Sequence, residues 1–94
     1  DDQSIILAES YCNAGCMLVF IGDCERALRI LLKALSIREK LFGESSEEVA
    51  KALNNLSLAQ RETGDFAGAE ESLRRARRIL ETEKKDTTGG AILG

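Results

Sequence analysis

The chain has 94 residues, 44% of them hydrophobic, a net charge of −3, three cysteines and no histidine. That length holds one small domain with a modest core, and that apolar share excludes a disordered polymer. The acidic balance disfavours nucleic acid as a partner, and the absence of histidine excludes a Ser–His or Cys–His nucleophile pair within the chain.

An odd cysteine count does not read as a disulfide framework and fits a reducing, intracellular, cytoplasmic setting. No targeting segment is read. The longest apolar run, Met17 to Ile21, closes at Gly22, so no membrane span is expected. With Ala and Leu carrying the apolar content, and no Pro or Trp, helices are favoured over strands.

In chain order, helix one is predicted from about Ser4 to Ile21, with Gly22 in the left-handed closing position. Asp23 is expected to cap helix two with its carboxylate. Helix two carries Ala27, Leu28, Leu31, Ala34 and Leu35, extends through 37–42, and ends at Gly43. Ser45 and Glu48 have capping-box spacing for helix three. Helix three continues to Thr63, and Gly64-Asp65 repeats the earlier turn. Helix four runs from Phe66 to about Lys85. Residues 86–94 read as a flexible tail with a short apolar end that could dock on a neighbouring copy.

Sliding the chain by 42 residues matches Ala8 with Ala50, Asn13 with Asn55, Gly22-Asp23 with Gly64-Asp65, Ala27 with Ala69, Leu31 with Leu73 and Ala34 with Ala76. A fixed period of this length predicts an all-α solenoid rather than a globule around a catalytic cleft. The expected units are a helical hairpin over 1–43, a second over 44–85, and the tail. Together they give four antiparallel helices in two stacked helix-turn-helix repeats. Gly15 and Ser57, small and equivalent, fall where helices must cross closely. Ala27, Leu31, Ala34, Leu56, Ala69, Leu73 and Ala76 are the expected core.

These residues resemble the tetratricopeptide repeat family. The first unit reads Tyr11, Ala14, Gly15, Gly22, Asp23, Cys24, Ala27, Leu31, Ala34, and the second Leu53, Leu56, Ser57, Gly64, Asp65, Phe66, Ala69, Leu73, Ala76. The long period is similar to that of kinesin light chains. Cys24 stands where the family has an aromatic, and Leu18 and Gln60 where it often has Tyr.

The resemblance implies a concave groove lined by the first helix of each repeat, holding a partner peptide or helix. By turn position the groove residues are Glu9, Cys12, Asn13, Cys16, Val19 and Phe20, with Lys51, Asn54, Asn55, Leu58, Arg61 and Glu62. A carboxamide such as Asn13 or Asn55 both donates and accepts, so it can pair with a peptide backbone. The apolar half around Cys16, Val19 and Phe20 and the basic Lys51 and Arg61 suit an acidic-hydrophobic ligand.

Helix two is apolar on two sides and is expected between neighbours. At matching positions of helix four Leu28 becomes Glu70, Leu32 becomes Arg74 and Leu35 becomes Arg77. Helix four therefore reads as the C-terminal end cap of a longer array. Helix one is apolar nearly all round and needs cover, from upstream repeats, a partner, or a second copy meeting Met17, Val19, Phe20 and Ile21.

Cys12 and Cys16 stand one helical turn apart, but a four-ligand zinc site is not assembled by this chain, so no metal or cofactor is expected. Arg74, Arg75, Arg77 and Arg78 lie within reach of helix-four glutamates, so intrahelical pairing is the expected state. The expected function is a protein-interaction scaffold or adaptor, not an enzyme. The alternatives are a self-associating structural unit and a regulatory repeat segment of a multidomain signalling ATPase.

Overall fold

The computed structural model describes residues 2–93, with side chains for 3–82. Four helices follow one another: α1 (Asp2–Ile21), α2 (Cys24–Phe42), α3 (Glu47–Glu62) and α4 (Phe66–Leu93). Among the described residues there is no strand. Helix α1 packs on α2, α2 on α3 and α3 on α4, with a smaller contact between α1 and α3. That is the neighbour pattern of two stacked helical hairpins.

The two intra-repeat turns are built alike. Gly22 and Gly64 have φ of 95° and 90°, a region that side chains other than glycine rarely enter. In the first turn Asp23 N–H donates to Leu18 O at 2.8 Å and Gly22 N–H to Val19 O at 3.1 Å. Asp65 to Gln60 and Gly64 to Arg61 repeat those bonds at the same lengths. This paired closure satisfies carbonyls that the ending helix leaves open.

The helix starts depart from expectation in two places. Asp23 occupies the cap position of α2, but its side chain accepts no capping hydrogen bond. It faces Arg26, with Nε 3.4 Å from Oδ2. The matching Asp65 does cap, accepting from Gly68 N–H at 3.0 Å. The cause is the residue three places on: glycine at 68 leaves room for the carboxylate, whereas arginine at 26 competes for it. Helix α3 is capped by Ser46, one residue later than Ser45, with its Oγ accepting from Val49 N–H at 3.2 Å. Gly43, at φ 90°, sets the register of that loop.

The core is continuous through both repeats and includes Ala27, Leu31, Ala34, Leu35, Val49, Ala52, Leu53, Leu56, Ala76 and Ile79. Ala69 is buried as well, while Leu73 is only half-buried. Leu73 lies on an outermost helix, which no following element covers among the described residues. The close crossing expected at Gly15 is present. A Cβ there would stand 2.5 Å from the Leu31 side chain.

Helix α4 extends to Leu93, past the expected end near Lys85. No proline interrupts that stretch and its first glycine is Gly89, so nothing before it forces a stop. The docking expected of Ile92 and Leu93 lies outside the described side chains.

A second departure concerns α1. Residues Gln3–Ile21 form a helix long and apolar enough to cross a membrane by length and composition. Counting unbroken runs missed it, because Ser, Cys, Gly and Asn interrupt the run without adding charge, and Glu9 is the single charged residue there. In this fold the helix lays Ala8, Cys12 and Gly15 against its neighbours as buried residues.

Candidate functional site

Helix geometry divides α1 into three stripes roughly 120° apart. One stripe is buried: Ala8, Cys12 and Gly15, with Tyr11, Leu18 and Val19 half-buried beside them. The second presents Glu9, Asn13, Cys16 and Phe20 to solvent. The third, on the far side, presents Leu7, Ser10, Ala14, Met17 and Ile21. The second stripe and the matching stripe of α3 form the candidate site.

On α3 that stripe carries Lys51, Leu58 and Glu62, all exposed, and Asn55, half-buried; Asn54 and Arg61, also exposed, stand beside it at the positions that match Cys12 and Val19. Among the described residues Phe20 is the most open of the large apolar side chains at 88% exposure, with Leu58 at 46%. Lys51 Nζ stands 3.7 Å from Glu47 Oε1, an exposed pair one turn apart that leaves the ammonium available to another anion. Burial first, and the neighbouring Cys12 second, push the Cys16 thiol above its ordinary range. At neutral pH Cys16 is therefore an uncharged, weakly polar surface rather than a thiolate nucleophile.

Ten of the twelve expected groove residues are solvent-facing or, for Asn55, partly so. Cys12 is not among them. It is part of the buried core where α1 meets its neighbours, so it cannot meet a partner. Its equivalent Asn54 is exposed, because among the described residues no third repeat lies against α3. Val19 is half-buried and packs against the core, which leaves it little surface to offer. The expected self-association set is likewise split: Met17 and Ile21 lie on the far stripe, Phe20 on the groove stripe and Val19 between α1 and the core.

The flanking polar residues fasten the scaffold. Ser72 Oγ donates to Gln60 Oε1 at 2.7 Å, tying α4 to α3. Arg38 Nη1 donates to Glu48 O at 3.1 Å, tying α2 to the first turn of α3. Arg75 departs from the intrahelical pairing expected of the basic cluster. It reaches back to Glu39 on α2 at 2.7 Å and to Glu44 O at 3.5 Å. Arg74 does pair within its helix, with Glu70 at 3.6 Å. The reach of Arg75 across repeats depends on the tight Gly43 turn, which local spacing does not reveal. Lys33 Nζ lies over the Tyr11 ring, 6.0 Å from its centroid, on the α1–α2 contact. Among the described residues no group of three or more His, Cys, Asp or Glu side chains is placed to hold a metal ion.

The family model described as tetratricopeptide repeat matches residues 6–82, which covers α2, α3, most of α1 and α4, and both glycine turns. The chain belongs to the tetratricopeptide repeat family. Neither a curated protein nor a solved structure gives a match. Tetratricopeptide repeats serve in general as protein–protein interaction modules and are generally non-catalytic.

Proposed function

We propose that this chain holds a partner peptide or helix along the stripe shared by α1 and α3. The observation that carries the reading is the pair of matching stripes, in which Asn13 and Asn55 occupy the same place in each repeat and reach the surface. Asn side chains can donate to and accept from a partner backbone. Cys16, Phe20 and Leu58 supply apolar contact, and Lys51 and Arg61 supply positive charge, so the favoured partner combines acidic and apolar side chains. The 42-residue period supports long repeats of the kinesin-light-chain type. The charged outer face of α4 supports a terminal place in an array, and three free cysteines support a reducing, intracellular setting.

Fluorescence anisotropy against short peptides that mix acidic and apolar residues tests the groove. Asn55→Ala and Arg61→Glu should each weaken the bound peptides by about tenfold, equivalent to about 1.4 kcal/mol. Arg77→Ala, on the far side of α4, should leave them unchanged. Binding that survives both groove changes and falls with Arg77→Ala contradicts the reading.

A second reading, self-association through α1, rests on a different observation. Met17 and Ile21 are open to solvent although they belong to the most apolar helix of the chain. Concentration-dependent sedimentation tests it, and a strict monomer at high concentration contradicts it.

A further inference from the structure

The far stripe of α1 has a built counterpart in the same molecule. The 42-residue offset places Leu7, Ser10, Ala14 and Met17 on Val49, Ala52, Leu56 and Ala59. On α3 these four positions are at most 4% exposed, and α2 lies against that helix. On α1 the same positions are open, with Leu7 at 45% and Met17 at 64% exposure. Ile21, 69% exposed, continues the stripe. From Leu7 to Ile21 the steps alternate three and four residues, the spacing of a straight helix–helix seam.

We propose that this stripe pairs with the same stripe of a second copy, antiparallel, across a two-fold axis at the level of Cys12. The proposal rests on the self-association reading and adds the face and the orientation. Leu7 and Met17 lie five residues either side of position 12, and Ser10 and Ala14 two residues either side. An antiparallel partner therefore sets Leu7 on Met17 and Ser10 on Ala14. Large side chains meet at the ends, and small ones at the centre let the axes approach. The stripe carries no charge, since Glu9 points along the groove stripe, so two copies meet without repulsion. Antiparallel pairing also opposes the two helix dipoles.

The second copy cannot cover the stripe with α4 instead. Where α2 has Leu28, packed against the core, and the buried Leu35, α4 has Glu70 and Arg77. Stacking head to tail would bury these charges against an apolar face that offers them no partner. The association therefore closes at a dimer rather than growing as a filament.

The test uses the full chain with Cys12→Ala, Cys16→Ser and Cys24→Ser, its helical content confirmed by circular dichroism. Leu7→Cys and Met17→Cys are introduced into separate chains, then oxidised alone and mixed. The proposed pairing crosslinks the mixture and neither chain alone, because like positions are about 15 Å apart along the antiparallel seam. Crosslinking of either chain alone overturns the orientation. A sedimenting dimer that forms no 7–17 crosslink overturns the assigned face while self-association stands. A monomer at every concentration overturns both. Ala14→Glu, a change at an open position that the folded monomer tolerates, should raise the dimer dissociation constant at least about tenfold. An unchanged constant with helicity retained also overturns the proposal.

Discussion

Helices α1 and α3 hold the same place in their repeats and share a surface stripe, yet they live in different surroundings. Helix α3 touches α1, α2 and α4, whereas α1 touches α2 and, more lightly, α3. Position by position, Ala14 is open where Leu56 is buried, and Met17 is open where Ala59 is buried. The chain has put its larger side chain at the covered site in one pair and at the open site in the other. Burial here follows the neighbour and not the residue type, so an exposed Met on α1 marks a missing neighbour rather than a polar face. The helices α2 and α4 differ in the opposite sense. The inner one keeps leucines on both sides, and the outer one replaces them with glutamate and arginine.

Exchanging equivalent residues between the repeats should have unequal costs, because only one member of each pair is covered. Leu56→Ala, which imports the residue of position 14, removes a buried side chain and should cost about 2–5 kcal/mol in urea unfolding. Ala14→Leu, the reverse exchange, should stay within about 0.5 kcal/mol, as surface changes do. Equal costs would mean the two helices are packed alike.

The crossing points give the next largest effect. Gly15→Ser installs the residue that repeat two carries, and its Cβ meets Leu31 at 2.5 Å. It should destabilise by about 1–3 kcal/mol through overpacking. Ser57→Gly should cost about 1 kcal/mol or less, from helix propensity and the loss of its 2.6 Å bond to Asn54 O. A shift in thermal midpoint larger for Ser57→Gly than for Gly15→Ser would mean that Leu31 yields to the added atoms and that the crossing at Gly15 is not a tight one.

The two Gly-Asp turns also differ in what their carboxylates hold. Asp65→Ala removes a cap on Gly68 N–H and should cost about 1 kcal/mol. Asp23→Ala removes only an exposed pairing with Arg26 and should cost clearly less. Denaturant midpoints of the two variants, measured side by side, decide it.

The smallest effect is expected at the tie between repeats. Glu39→Gln breaks the 2.7 Å pairing with Arg75, both partly exposed, and should cost under about 1 kcal/mol. Added salt should shrink that difference. A salt-independent loss would point to packing instead of charge.

The architecture was legible because its signals are local and repeated: two glycines forced to positive φ, and small residues recurring at the 42-residue offset. What escaped the sequence depends on which helix lies beside which. Cys12 occupies a groove position by counting from the turn, but α1's neighbours bury it. Ser45 and Ser46 are adjacent and chemically identical, so only the turn at Gly43 decides which one caps. The unequal roles of Asp23 and Asp65 were readable in Arg26 and Gly68, had the residue three places on been weighed against each carboxylate. Arg75 has nearby glutamates on its own helix and still reaches Glu39, a choice made by tertiary geometry. Most of the groove set reaches the surface because helical periodicity fixes which side chains share a stripe; what such a stripe binds is not written in its period.

Amide hydrogen exchange across α1 and α3 at two protein concentrations tests most directly whether one face of α1 lacks a neighbour that α3 has. Exchange reports local opening, which is easier where packed cover is missing. The α3 amides from Val49 to Ala59 should be the better protected and indifferent to concentration. Those from Leu7 to Met17 should be less protected in dilute solution and gain protection as concentration rises. Protection of α1 equal to that of α3 in dilute solution would mean that α1 has no uncovered face.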